Sequence, residues 1–230
     1  MLVKNNEDLY ELLDSLLREP KEFWDTFYQD KERNIPFFCD QPDEHLVKYI
    51  EMIKPRNVLE IGCGNGRNAI YLAQKGCTVT AVDISQEAID WAKEQADEHH
   101  VTIQFICENL FNLDLESQQF DYIYDSGCFH HLAPHRRVSY IQFINKYLKN
   151  NGYFSISAFR ENGKYGGSAL SDKQYYIDLS LHGGLGYSKE KLQIIFSDFQ
   201  EIEIRDMQHD NLSKSEFGLE DFIVCLFRKI

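Results

Sequence analysis

The chain has 230 residues, a net charge of −13, 43% hydrophobic and 27% charged residues, which is the size of one domain and the composition of an ordinary soluble globular protein. The acid excess argues against nucleic acid, whose phosphates need Lys and Arg gathered on one face; no apolar run approaches the roughly 20 residues of a membrane span, and the start at Met1 lacks the basic end and apolar centre of a signal peptide. The six cysteines (Cys39, Cys63, Cys77, Cys107, Cys128, Cys225) are scattered without a C-x-x-C pair, so reduced thiols and a cytoplasmic location are expected.

Residues 5–19 place Leu9, Leu12, Leu13, Leu16 and Leu17 at helical spacing. They predict a one-faced helix ended by Pro20 and packed on the body of the domain or, alternatively, on a second copy. Phe23, Trp24, Phe27 and Tyr28 then form an aromatic face, followed by a loop at Ile35-Pro36-Phe37-Phe38. Two readings are open: plain core packing, or a lid in which Trp24, Phe37 and Phe38 cover a bound cation, which aromatic faces attract. Residues 1–41 are read as this N-terminal extension and residues 42–230 as the main domain. Pro42 opens a helix with Leu46, Val47, Ile50 and Ile53 inward, stopped by Pro55.

The most informative stretch follows. A strand, Asn57 to Ile61, runs into Gly62-Cys63-Gly64-Asn65-Gly66, then a helix from Arg67 to Lys75, Gly76, and a second strand from Cys77 to Val82 ending on Asp83. Glycines at alternate positions let a chain turn sharply and bring backbone against a ligand, and the next helix starts with unpaired N–H groups aimed at the same place. Asp83 at the second strand tip is placed to take the hydroxyls of a ribose. A dinucleotide fold wants G-x-G-x-x-G; here the register is G-x-G-x-G, Arg67 stands at the third-glycine place, and Glu60 two residues before Gly62 turns a carboxylate toward the loop. That suits a cation and speaks against a nicotinamide or flavin oxidoreductase. The string from Leu59 to Gly66 resembles the first motif of the class I S-adenosylmethionine-dependent methyltransferases. The resemblance implies S-adenosyl-L-methionine as cofactor and S-adenosyl-L-homocysteine as product. Glu60, Gly62, Cys63, Gly64, Gly66, Arg67 and Asn68 would lie around the loop, and Asp83 and Ile84 at the ribose.

Beyond Asp83, Ser85 caps a helix whose buried stripe is Ala88, Ile89, Ala92 and Ala96, and a third strand runs from Val101 to Cys107. The resemblance places the adenine on Asn109 and Leu110, with Glu108 as the other candidate. A fourth strand, Phe120 to Tyr124, leads into Asp125-Ser126-Gly127-Cys128-Phe129-His130-His131, where ligands collect in open α/β sheets. Asp125 and Ser126 are expected near the cofactor's ammonium or the acceptor. A metal set of His130, His131 and His135 is disfavoured, because adjacent residues at a strand exit point apart and nothing completes a tetrahedron. The pair serves packing and capping, or it touches substrate, since imidazole accepts a proton near neutrality. After a helix through Val138, Ile141, Ile144 and Leu148 and a fifth strand from Tyr153 to Phe159, residues 160–187 are rich in glycine and tyrosine and lack periodicity. They are read as the wall of an acceptor pocket, with Tyr187 joining His130 and His131 as candidate catalytic residues. A last helix opens at Ser188, and two strands close the chain: a half-exposed edge, Gln200 to Met207, and a central one, Leu219 to Arg228.

Five strands alternating with helices require parallel crossovers, and a central seventh strand must insert antiparallel beside the fifth. The expected fold is α/β: a three-layer, doubly wound, seven-stranded mixed sheet with N-terminal helices, for which the resemblance implies the order 3-2-1-4-5-7-6. The strand-four segment is similar to the small-molecule branch, which includes the thiol, thiopurine and tellurite-resistance methyltransferases. The expected activity is in-line methyl transfer to a small-molecule acceptor by a monomer or homodimer, without a metal. A non-catalytic protein that binds the cofactor or its product is the alternative.

Overall fold

The computed structural model describes residues 2–208 and 215–230. In chain order the elements are α1 (Asn6–Asp14), α2 (Pro20–Gln29), α3 (Glu44–Ile53), β1 (Asn57–Ile61), α4 (Arg67–Gln74), β2 (Thr78–Asp83), α5 (Gln86–Glu98), β3 (Gln104–Cys107) and β4 (Phe120–Ser126). A short 3-10 turn (Phe129–His131) is followed by α6 (Arg136–Tyr147), β5 (Leu148–Phe159), α7 (Asp172–Asp178), α8 (Lys189–Ile195), β6 (Gln200–Asp206) and β7 (Phe222–Arg228).

The sheet runs β3-β2-β1-β4-β5-β7-β6, the order expected from the sequence. β1 pairs in parallel with β2 and β4, and β7 lies antiparallel between β5 and β6. Register brings the carboxyl ends of the parallel strands level: Ile61 pairs with Val82 and Asp125, and Asp83 pairs with Cys107. Side chains of a strand alternate between faces, and each face has its own core. Val58 packs with Leu46, Ile50, Leu72 and Ile89 of α3, α4 and α5. Leu59 and Ile61 pack with Tyr140, Ile144, Leu192 and Phe196 of α6 and α8. Glu60 shares the face of Val58, so the alternation drives a carboxylate into the layer under α4. β7 is covered on both sides, which explains its unbroken apolar run, while Ile202 on edge strand β6 stays exposed.

The departures from expectation are local. The leucine helix stops at Asp14, and Pro20, expected to end it, opens α2 instead, where the missing N–H costs nothing. No residue of α1 is fully buried; the helix is held by Glu7 and Asp14, which pair with Arg136 at 2.9 and 2.5 Å. β3 begins at Gln104 rather than Val101. β5 begins at Leu148, which pairs with Phe120 before a register shift; the helical spacing of Ile141, Ile144 and Leu148 hides that start. Residues 160–187 are less irregular than they read. They hold α7 and two isolated bridges, Arg160 with Tyr187 and Ser168 with Leu185. All six cysteines are free, and among the described residues no helix is long and apolar enough to cross a membrane.

Candidate functional site

The loop after β1 is fixed by main-chain bonds. Gly62 N and Cys63 N both donate to the Val82 carbonyl, at 2.8 and 3.0 Å. Gly62 and Gly64 have φ of +66° and +53°, and a Cβ on Gly62 would stand 2.6 Å from Cys128 Cβ, one on Gly64 2.8 Å from the Tyr28 hydroxyl. Both the turn and the close approach therefore require glycine. Gly64 N donates to Asp83 Oδ2 and Ser85 N to Oδ1, each at 2.9 Å, so Asp83 ties the loop to the tip of β2. Each oxygen retains a lone pair. Burial pushes its pKa up to about 6 against those N–H bonds.

Glu60 lies directly beneath, 1% exposed. Asn68 and the Ala69 N–H stabilise its charged form, yet Oε2 has no hydrogen-bond partner among the described residues. Burial pushes this carboxyl up to about 8, the charge of Arg67 opposing. A lone buried carboxylate oxygen in the wall of a cavity is costly unless something cationic meets it. Arg67 does not meet it, because it is spent on Asp43. Its Nη2 lies 2.5 Å from Asp43 Oδ1, and its guanidinium stacks 4.6 Å from the Phe217 ring. Asp43 also accepts from the hydroxyls of Ser126 (2.6 Å) and Tyr124, and its N–H donates to Asn68 Oδ1 at 2.9 Å. Burial resists its ionisation, but Arg67, His45 and the two hydroxyls prevail and hold it below the usual carboxylate range. In the sequence Asp43 reads only as a first-turn residue of the helix opened by Pro42, which in fact starts at Glu44; nothing local marks it as the partner of Arg67.

A cavity of about 210 Å³ opens between this loop, the strand ends and the N-terminal segment. Glu60, Gly62, Cys63, Gly64, Arg67 and Asn68 line it from one side, and Asp83, Ile84, Asn109, Leu110 and Ser126 line it from the tips of β2, β3 and β4, with Glu108 beside them. Asn109 Oδ1 accepts from Phe111 N at 3.0 Å, leaving it one lone pair. Trp24, Phe37 and Phe38 close the cavity from above, joined by Tyr28, whose ring stacks on Phe38 at 5.6 Å.

Three expected site residues lie elsewhere. Gly66 starts α4 and faces α5: a Cβ there would stand 2.9 Å from Ala92 Cβ, so its smallness serves helix packing. Asp125 is fully buried and turned away from the cavity. It accepts from Cys128 N (2.8 Å), Phe129 N (3.3 Å) and the Tyr140 hydroxyl (2.6 Å), and burial pushes it up to about 7 against those bonds. It holds the turn that carries the histidines. Tyr187 is a core residue, its ring 5.0 Å from Phe129 and its hydroxyl accepting from Arg137 Nε at 3.2 Å.

His130 and His131 do line the cavity. The His130 ring lies 3.9 Å from Phe159, and its Nδ1 accepts from Phe159 N at 3.2 Å. His131 meets Trp24 edge to face at 4.8 Å. Burial keeps both rings neutral, with His130 well below its ordinary range and His131 at about 4, where the charge of Arg18 adds. His135 is turned to Asp14 (2.7 Å) and Tyr176 (2.8 Å), away from the pair, and among the described residues no group of three His, Cys, Asp or Glu is placed to hold a metal ion.

Comparison with known proteins bears on this arrangement. The family described as "Methyltransferase domain" matches residues 58–152, from β1 to the start of β5. A ubiquinone biosynthesis O-methyltransferase of Coxiella burnetii is 30% identical over 146 residues, 62% of each chain, so the chain spans less than two thirds of that curated relative. An uncharacterized methyltransferase of Schizosaccharomyces pombe is 31% identical over 108 residues, 47% of this chain and 74% of that one. Among solved structures, the 1,6-didemethyltoxoflavin-N1-methyltransferase of Burkholderia thailandensis superposes with a TM-score of 0.64 at 22% identity, over 100% of this chain and 92% of the other. At that identity the likeness is one of fold.

Proposed function

From the premise that the chain belongs to the class I S-adenosylmethionine-dependent methyltransferases, we propose that it transfers a methyl group from that cofactor to a small-molecule acceptor. The observation that carries the reading is Glu60, a cavity-lining residue with an unpartnered buried oxygen, in the same lining as Asp83 at the tip of the next strand. The residues fit the cofactor: Glu60 takes the ammonium, Asp83 the ribose hydroxyls, and Asn109 with the Leu110 N–H the edge of the adenine, while Gly62 and Gly64 let the backbone approach. S-adenosylmethionine supplies a methyl group already activated by positive sulfur. What remains for the protein is to hold nucleophile, carbon and sulfur collinear and to keep water out. Trp24, Tyr28, Phe37 and Phe38 cover the site and offer π faces to a sulfonium. His130, His131, Phe159 and Phe222 line the acceptor end. The relatives' names support a small acceptor, one being an O-methyltransferase of ubiquinone biosynthesis and another a toxoflavin-precursor N1-methyltransferase.

Isothermal titration with S-adenosylmethionine, followed by release of S-adenosylhomocysteine over thiols, phenols, amines and chalcogen oxyanions, tests the reading. Binding with turnover of one class is expected. No binding heat overturns the cofactor assignment, and tight binding without turnover of any class assigns the chain to ligand sensing instead.

A further inference from the structure

The acceptor end of the cavity, on the methyltransferase reading it rests on, carries one hydrogen-bonding edge of fixed chemistry. His130 Nδ1 accepts the Phe159 N–H, and a backbone N–H only donates. A neutral imidazole that accepts at Nδ1 carries its proton on Nε2. Nε2 has no hydrogen-bond partner among the described residues, and the His130 side chain lines the cavity. Two glycines keep this edge clear of side chains. A Cβ on Gly184 would stand 3.0 Å from Cδ2 and one on Gly127 3.5 Å from Cε1, the two carbons that flank Nε2. Aromatic rings pack around the imidazole, their centroids 3.9 Å (Phe159), 4.2 Å (His131) and 5.9 Å (Phe222) from its own, with Trp24 behind His131. Such walls favour a flat aromatic ring, which packs on them face to face or edge to face.

We propose that His130 is a hydrogen-bond donor to the methyl acceptor, and that the acceptor is a planar aromatic compound presenting an ionised hydroxyl oxygen to its Nε2–H. With the Nδ1 lone pair occupied, His130 has no site to take a proton. His131, at about 4, is too weak a base for a phenol near 10, a transfer about a million-fold uphill. The hydroxyl therefore loses its proton to bulk water before the oxygen enters. In the transfer an oxygen lone pair forms the O–C bond as the C–S bond breaks, its pair remaining on sulfur. The negative oxygen and positive sulfur become neutral together, and no proton moves within the site.

The test is release of S-adenosylhomocysteine from 4-nitrophenol, phenol and 4-methoxyphenol by the wild type, H130Q and H130N. Gln places a donor near the Nε2 position. Asn places an oxygen near Nδ1, satisfying Phe159 N–H, while its shorter amide holds its N–H donors near Cδ2 and leaves none at the Nε2 position. H130Q is expected within about threefold of the wild-type KM and H130N raised about tenfold or more, both with unchanged S-adenosylhomocysteine affinity by calorimetry; wild-type kcat/KM follows the phenolate fraction across the series. An Asn variant that equals or betters the Gln variant overturns the donor role. Failure of the cofactor-bound wild type to methylate any of the phenols overturns the acceptor class, whereas failure to bind cofactor at all removes the parent reading and this one with it. Long-range 1H–15N NMR of the wild type reads the tautomer without a variant: Nε2–H is expected, and Nδ1–H overturns the proposal.

Discussion

The glycine-loop side of the cavity is held by main-chain N–H groups bonded to the neighbouring strand: Gly62 and Cys63 to the Val82 carbonyl, Gly64 to the Asp83 carboxylate. The opposite side is assembled from side chains as distant in the chain as Trp24 and His131, or His130 and Phe222. The first kind of construction is rigid before any ligand arrives, because strand register sets it. The second depends on how segments settle on one another. Asp43 is the joint between them. It precedes α3, neutralises Arg67 of the loop helix and accepts from Ser126 at the far strand exit.

The largest effect is therefore expected at that joint. Asp43→Ala leaves Arg67 buried without its partner, and loss of one member of a buried pair costs about 3–5 kcal/mol. Denaturant unfolding should show that loss together with weakened cofactor binding. A drop below about 1 kcal/mol would mean that Arg67 finds another partner and that the two sides are not joined through Asp43.

Next in size is Glu60→Gln, which probes the rigid side alone. It should weaken S-adenosylmethionine about 10–100-fold, the scale of a hydrogen bond to a charged group. Its stability effect depends on pH. Glu60 is raised from 4.5 to about 8 in the folded chain, so the stability it contributes is full below its unfolded pKa and is lost as pH rises through about 8. Asp83 and Asp125, raised to about 6 and about 7, act in the same direction lower in the window. The ligand-free wild type should thus lose stability from about pH 4 to 8, and the Gln variant should lack the uppermost part of that decline. Parallel curves for the two proteins would show that Glu60 stays ionised in the empty site.

How far each side can be read from sequence follows from the same contrast. Strand alternation and the loop spacing make Glu60, Gly62, Gly64 and Asp83 legible, since four consecutive elements fix them; the apolar run of the last strand places it inside the sheet, and the rest of the strand order comes from the family resemblance. Asp125 misleads because a strand-end carboxylate looks the same whether it faces the ligand or caps its own turn; only the Tyr140 hydroxyl, from the next helix, tells them apart. Gly66 misleads because a glycine needed against a ligand and one needed against Ala92 leave the same trace. Asp43 is missed for the opposite reason, and so is the approach of Tyr28, itself read as part of the aromatic face, to the loop: their partners, Arg67 and Gly64, lie 24 and 36 positions away, and no local pattern carries that pairing.

The smallest effect is expected at Tyr187, the residue whose sequence position suggested catalysis and whose ring lies in the core. Its hydroxyl makes one bond, from Arg137, which retains Asp172 at 2.9 Å. Tyr187→Phe removes an acceptor but no volume from the packing against Phe129. The cost should be about 0.5–1.5 kcal/mol, with cofactor affinity and kcat within twofold of the wild type. Because Arg137 keeps its carboxylate, no buried charge is stranded, which separates this change from Asp43→Ala. If kcat instead fell tenfold or more with stability unchanged, residues 160–187 would have to bring Tyr187 to the acceptor in a second arrangement. The side-chain-built half of the cavity would then be mobile rather than merely assembled from afar.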